Sequence, residues 1–163
     1  RIPADPVPID TISSPEIQEL IQDMRDTVAD ANGAGLAAPQ IFESKQIVLL
    51  DLNDEMTVWI NPTIRALTDE MVIGFEGCLS VPNMRGAVAR YHRIHVDGFN
   101  EDGTPFSIEL EDHPAVVAQH ECDHLQGILY VDRVEPFTLS FLEEYRNYGH
   151  LLWAFIEGES EEE

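Results

Sequence analysis

The sequence predicts an α+β fold: a mainly antiparallel sheet around one central helix, with a further helix towards each end of the chain. Two observations lead to this prediction. Apolar residues recur at helical spacing near both ends and once in between, whereas residues 33 to 110 are mostly short β-type runs separated by turn residues. The chain has 163 residues, of which 44% are hydrophobic. We therefore expect one domain over residues 1–156 and an acidic, flexible tail over residues 157–163.

The first helix is predicted from its capping residues and its apolar face. Ser13 or Ser14 caps it, and Pro15 lies in its first turn. Its apolar residues follow helical spacing: Ile17, Leu20, Ile21, Met24 and Val28. We expect it to end at Asn32-Gly33, because both residue types favour the left-handed conformation that closes a helix.

The middle of the chain is predicted to be strand-rich. Five β-type runs are separated by turn signals: Gln46–Asp51, Met56–Ile60, Thr63–Thr68, Ile94–Phe99 and Thr104–Leu110. The last two runs flank residues 100–103 and predict a β-hairpin.

A second helix is predicted to begin near Asp112 or His113, with Pro114 in its first turn and Gly127 just past its end. A third candidate helix runs from about Thr138 to Ile156. Helices on both sides of a strand-rich middle complete the α+β arrangement.

The charge of the chain limits its partners. It has 31 acidic and 9 basic side chains, a formal net charge of −22. The nucleic-acid backbone and an anionic membrane both attract basic patches, so we expect neither as a partner. Two cysteines do not make a disulfide framework, so we expect a reducing compartment, with the cytoplasm as the favoured one. We also expect the protein to be a monomer. The sequence is also consistent with a protein of an organelle, or with the product of a viral gene that is expressed in a bacterium.

The middle helix carries a His-Glu-x-x-His pattern from His120 to His124. Residues four apart share one helix face, so His120 and His124 can direct imidazole nitrogens at one metal ion. Glu121 can accept a proton from a water bound to that metal and return it to a leaving group. The pattern predicts metal-dependent hydrolysis, and its alternative is two surface histidines on a polar helix. Apolar neighbours weaken that alternative: Val116, Val117, Leu125 and Ile128.

A catalytic site with two histidine ligands needs a third protein ligand and an open fourth position. The downstream candidates are Glu143, Glu144 and His150. Upstream, Cys78 follows Gly77, and a cysteine in a turn can supply a thiolate. A lone cysteine is equally often a small buried hydrophobe, so the residues alone leave this choice open.

Three separated segments resemble those of the peptide deformylase family and occur in that family's order. They are Gly-Ala-Gly-Leu-Ala-Ala-Pro-Gln at Gly33–Gln40, Glu-Gly-Cys-Leu-Ser at Glu76–Ser80 and Gln-His-Glu-Cys-Asp-His at Gln119–His124. The similarity extends from about Ala4 to about Val134. Three joint matches are far more specific than the His-Glu-x-x-His pattern alone.

The resemblance implies a metallohydrolase that removes the N-terminal formyl group from formyl-methionine on nascent or newly made polypeptides and releases formate. Carried over by position, Cys78, His120 and His124 are the metal ligands. Glu121 is the general acid/base for attack of metal-bound water on the formyl carbon. The family also implies one divalent ion per chain, ferrous iron in the cell, for which zinc, nickel or cobalt can substitute.

The resemblance further assigns the groups around the substrate. Gln40 would donate its side-chain amide to the formyl oxygen, together with the backbone N–H of Leu79. Gly33 and Gly35 would let the chain approach the ligand closely, although both also suit the end of the first helix. Arg85 matches an arginine near the substrate's peptide chain, with a solvated surface charge as its alternative.

The pocket for methionine lies beside the metal helix in this family. By position it is lined here by Val116 and Val117, for which core packing is the equally weighted alternative. Glu76 and Arg90 match a structural carboxylate–guanidinium pair that braces the Cys78 loop.

The C-terminal region departs from the family's ribosome-binding members. In those relatives the last helix is positively charged, whereas residues 137–163 contain Arg146 as the only arginine or lysine and end in five glutamates among seven residues. We therefore expect action on released or exposed chains without tight ribosome docking. Two other classes stay open: a zinc metallopeptidase that uses Glu143 or His150 as third ligand, and a deformylase-like binding protein without catalysis.

Overall fold

The computed structural model describes residues 1–52 and 55–157, which contain three α-helices and eight β-strands. The helices are α1 (Pro15–Ala31), α2 (Asp112–Leu125) and α3 (Leu142–Glu157). The strands are β1 (Gly35–Ala37), β2 (Ile47–Asp51), β3 (Met56–Ala66), β4 (Met71–Cys78), β5 (Val81–Tyr91), β6 (Arg93–Phe99), β7 (Pro105–Glu111) and β8 (Ser140–Phe141). The α+β fold class is confirmed.

The described residues form two compact units. The first unit contains Arg1–Val72 and Arg90–Leu129, and the second contains Ile73–Ala89 and Tyr130–Glu163. A single domain over residues 1–156 stays a prediction. Residues 158–163 of the predicted acidic tail lie outside the described residues.

Five strands of the first unit form an antiparallel sheet in the order β1-β2-β3-β6-β7. Two predicted strands, Met56–Ile60 and Thr63–Thr68, are the single strand β3, whose register with β6 shifts after Ile60. Asn61 at this point has a φ of 51°, and its side chain bonds the Val7 N–H and carbonyl at 2.8 and 2.7 Å. The Asn-Pro pair therefore makes a bulge in a continuous strand, not the break we predicted.

The apolar run of β2 is explained by burial on both of its faces. Ile47 and Leu49 belong to a hydrophobic cluster with the apolar residues of α1. Val48 and Leu50 belong to a second cluster with residues of α2. Because side chains alternate along a strand, β2 packs α1 on one face and α2 on the other.

The first helix has the predicted apolar face and ends. Ser14, and not Ser13, is its N-terminal cap, and its hydroxyl accepts the N–H of Ile17. Pro15 is the first helical residue. At the other end Asn32 adopts the left-handed conformation with a φ of 49°, and the Gly33 N–H bonds the Val28 carbonyl.

The β-hairpin and the second helix are also confirmed. β6 and β7 pair along their whole length, and the Asn100 N–H bonds the Thr104 carbonyl across the turn. α2 begins at Asp112, with Pro114 in its first turn. Gly127, two residues past its end, has a φ of 70°.

Sequence analysis missed four of the eight described strands: the short β1 and β8, and the longer β4 and β5. β4 and β5 lie in a three-stranded sheet of order β4-β5-β8. The reason is local composition: β4 contains two glycines, and β5 begins Val-Pro-Asn, with Asn83 at a φ of 61°. Such residues normally indicate turns, and here the pairing with neighbouring strands prevails over that preference.

The third helix begins later than predicted. Thr138, its expected start, accepts the Ala87 N–H at 3.0 Å and donates to the Glu135 carbonyl at 2.8 Å. The next residues form β8, which pairs with β5, so α3 starts only at Leu142. Phe75 then packs against Tyr145 and Trp153 of α3, with ring centroids 4.7 and 5.1 Å away. Within the described ranges no helix is long and apolar enough to cross a bilayer.

Candidate metal centre

Helix α2 brings two imidazoles together near its C-terminal end. The ring centroids of His120 and His124 are 5.1 Å apart, and the rings lie at 80° to each other. His124 is 4% exposed, whereas His120 is partly exposed. The helix is anchored in the second hydrophobic cluster by its apolar residues, which include Ala115, Ala118 and Leu125. Two adjacent imidazoles on an anchored helix suit two ligands of one metal ion.

Glu121 lies between these two histidines in the sequence. Its side chain is buried, with only 6% of the residue's surface exposed. It lies directly against Gly35 of β1. A Cβ atom at position 35 would be 2.5 Å from the Glu121 Oε1 atom and 2.7 Å from its Cδ atom. A side chain at position 35 would therefore displace this carboxylate, and glycine is the residue that lets β1 and Glu121 approach so closely.

Gln40 lies in a short 3₁₀ helix, Ala38–Ile41, which follows β1 directly. Its Oε1 atom accepts the backbone N–H of Ala37 at 2.8 Å. This bond orients the side-chain amide, because the oxygen must face the Ala37 N–H and the NH₂ group must then face the other way. The NH₂ end is then the donor end, as the predicted role at the formyl oxygen requires.

Arg90 and Glu76 are both buried, at 3% and 8% exposure. Arg90 has an ion-pair partner that sequence analysis missed: its Nη1 atom lies 2.5 Å from the Oδ2 atom of Asp123, on α2. Asp123 belongs to the Gln119–His124 segment that resembles the family, but the sequence of that segment does not indicate which basic residue Asp123 contacts. The Glu76–Arg90 pair itself stays a prediction.

In the second unit, Cys78 is the last residue of β4, and its Sγ atom accepts the Ser80 N–H at 3.4 Å. Leu79 between them is 50% exposed. The guanidinium of Arg85 lies so close to Gly77 that a side chain there would overlap it. Arg85 is therefore packed against the turn that carries Cys78 and is not a fully solvated charge.

The family model described as polypeptide deformylase matches residues 1–139. The chain belongs to this family. That membership makes it an enzyme, a metallohydrolase of the peptide deformylase type, and it agrees with the placement of the His-Glu-x-x-His pattern on one helix.

Individual deformylases are similar along most of the chain. Peptide deformylase 2 of Ralstonia nicotianae is 49% identical over 141 residues, which cover 80% of this chain and 80% of the relative. The K3U-bound crystal structure of a class I type b peptide deformylase from Acinetobacter baumannii has a TM-score of 0.78 at 36% identity, covering 82% of this chain and 90% of the other. A Met-Ala-Ser-bound structure of the Acinetobacter baumannii enzyme has a TM-score of 0.77 at 34% identity, with the same coverage.

The predicted pocket residues of this deformylase differ in burial. Val117 is buried in the second hydrophobic cluster, as its core-packing alternative requires, whereas Val116 is partly exposed. Gly33 is also partly exposed and lies two residues past the end of α1. Of the two valines, Val116 is therefore the one whose exposed surface is available to contact a ligand.

The second cysteine of this family member is chemically quiet. The residue as a whole keeps some exposed surface, but its thiol is buried, and this burial, reinforced by the charges of Glu121 and Asp123, raises the pKa of the Cys122 thiol well above the ordinary range. Since the thiolate is the reactive form, this environment disfavours reaction at Cys122.

Proposed function

We propose that this chain removes the formyl group from the N-terminal formyl-methionine of polypeptides by hydrolysis, releasing formate and a free amine. The observation that carries the proposal is the buried Glu121 on α2, held against Gly35 and flanked by His120 and His124. A relative that binds Met-Ala-Ser supports the substrate class, because a peptide with a free methionine end is what deformylation leaves.

Cys78, His120 and His124 are proposed as the protein ligands of one divalent ion. A thiolate and two imidazoles suit zinc, iron, cobalt and nickel. When bound, the ion supplies a Lewis acid that lowers the pKa of a water molecule and polarises the formyl group. We propose ferrous iron in the cell. Metal analysis after anaerobic purification that finds zinc alone with full activity would refute iron.

Each further residue has one proposed role. Glu121 accepts a proton from the attacking water and delivers it to the departing amide nitrogen. The Gln40 amide and the Leu79 backbone N–H donate hydrogen bonds to the formyl oxygen as negative charge develops there.

Substrate binding is proposed to use groups around this centre. Val116 and Val117 line the methionine pocket, Gly33 and Gly35 allow close approach of the substrate backbone, and Arg85 lies along the peptide chain. Arg85 is supported by its packing on Gly77, which fixes a long cationic side chain near the Cys78 turn.

The test is formate release from formyl-Met-Ala-Ser under reducing, anaerobic conditions. Glu121→Gln should lower kcat by about 10²–10⁴-fold, the usual contribution of a general acid/base. Glu109→Gln, which makes the same change at an exposed position on β7, should have no effect. Absence of formate from the metal-loaded wild-type chain would refute the proposal.

A second variant tests the third ligand. Cys78→Ala should lose metal affinity and activity together, whereas a metallopeptidase that used Glu143 or His150 would keep both. In the wild-type chain, zinc should protect Cys78 from alkylation by iodoacetamide, because a coordinated thiolate is a poorer nucleophile.

A further inference from the structure

Gln119 joins the metal-binding helix to the end of β5. Its Oε1 atom accepts the Tyr91 N–H at 3.0 Å, and its Nε2 atom donates to the Tyr91 carbonyl at 2.8 Å. The same Nε2 atom donates to the Ala115 carbonyl, one turn earlier on α2, at 2.9 Å. The side chain therefore uses its acceptor and both of its donor directions in fixed bonds.

The neighbouring strand residue forms a second anchor one helical turn later. Arg90 bonds Asp123, so two consecutive residues of β5 hold α2 at positions four apart. Positions 119 and 123 share one face of the helix. Two anchors on that face fix the rotation of the helix about its axis, and each anchor directly precedes one histidine, His120 or His124.

We propose that Gln119 is a positioning residue that sets the direction in which His120 and His124 present their imidazoles to the ion. This inference rests on the proposed metal site. A primary amide is required at position 119, because the side chain must accept a hydrogen bond from the Tyr91 N–H and donate one to the Tyr91 carbonyl. A glutamate has the same shape but cannot donate, and it would place a charge against two carbonyl oxygens.

Cobalt(II) is the probe, since the visible bands of a cobalt–thiolate–imidazole site report ligand geometry. Gln119→Glu and Gln119→Met should lower the Co²⁺ affinity, measured by competition with a chelator, by about 10–100-fold, the usual effect of changing a residue that orients a ligand. Both should also shift the visible bands. Gln126→Glu is the matched control, because it makes the same change at an exposed position of the same helix end and should alter neither quantity.

Hydrogen exchange in the wild-type chain tests the inference without a variant. If the Tyr91–Gln119 bond positions the imidazoles, saturation with Zn²⁺ must in turn strengthen it, so the Tyr91 amide should exchange more slowly in the zinc form. Unchanged Co²⁺ affinity and bands in folded Gln119 variants, or unchanged exchange at Tyr91, would overturn the inference alone. A wild-type chain that binds no Co²⁺ would overturn the proposed function as well.

Discussion

The contact between Gly35 and Glu121 determines which residues position 35 can hold. A methyl group there would lie 2.5 Å from the Glu121 Oε1 atom, well inside van der Waals contact, so the carboxylate must move. Gly35→Ala should therefore lower kcat for formate release by about two orders of magnitude, within the range for loss of a general base. The folded fraction, followed by circular dichroism, should stay close to that of the wild type.

Gly98→Ala is the comparison for this prediction. Its new methyl group would lie 2.9 Å from the ring of Phe106, a steric conflict of similar size but with an aromatic side chain. It should lower the melting temperature while leaving kcat per folded molecule unchanged. Equal loss of activity in the two variants would contradict a specific role for the Gly35–Glu121 contact.

At the residue scale, sequence analysis identifies side chains by their chemistry but not by their partners. His120, Glu121 and His124 can be predicted because a helix fixes their spacing. The contacts of Asp123 with Arg90 and of Gln119 with Tyr91 cannot, because 33 and 28 residues separate the partners. Such contacts depend on how the intervening strands β6 and β7 bring the two distant segments together.

At the element scale, His92 fixes the start of α2 next to β6. Its Nε2 atom lies 2.9 Å from Asp112, the first residue of the helix, and its Nδ1 atom lies 3.4 Å from Glu70. The hydrogen bond with Asp112, together with the charges of Glu70, Asp112 and Glu111, raises the pKa of His92 above its ordinary value. The bridge is therefore strongest when the imidazole is protonated.

The sign of the pH dependence follows from that shift. A pKa raised in the folded state stabilises the protein fully below the unfolded value of about 6.5, and the gain is lost as pH rises through the folded value. The wild type should thus melt at a higher temperature than His92→Gln below pH 6, with a difference that shrinks by pH 9. His113→Gln, at the exposed neighbour of Asp112, is the control. A difference that is constant over this range would contradict the prediction.

The elements themselves divide into predictable and unpredictable ones for a physical reason. α1 and the β6–β7 hairpin have local signals, caps and a short turn, and both are confirmed. β4 and β5 have glycine and proline where strands rarely do, and their pairing in the sheet compensates. Thr138 shows the same effect in reverse, since its bond with Ala87 delays a helix that composition alone would start earlier.

At the scale of the whole molecule, the dominant property is a net charge of −22. Removing the five glutamates of the tail leaves −17, so the acidity is spread along the chain. We predict that the chain does not sediment with ribosomes through a sucrose cushion at about 0.15 M salt, because ribosomal RNA repels it. A variant truncated after Ile156 should behave in the same way. A ribosome-bound fraction at that salt concentration would contradict the prediction.

The anchoring of α2 by Arg90 and Tyr91 also has a consequence for the order of assembly during synthesis. The strand end is translated 28 to 33 residues before its partners on the helix. β6 and β7 are completed in between, so they can form their hairpin before the helix has left the ribosome. The two histidines then meet a surface that is already in place. We therefore expect the proposed ion to bind after these contacts have formed, so that cells that lack the metal accumulate a folded apoprotein and not an unfolded one.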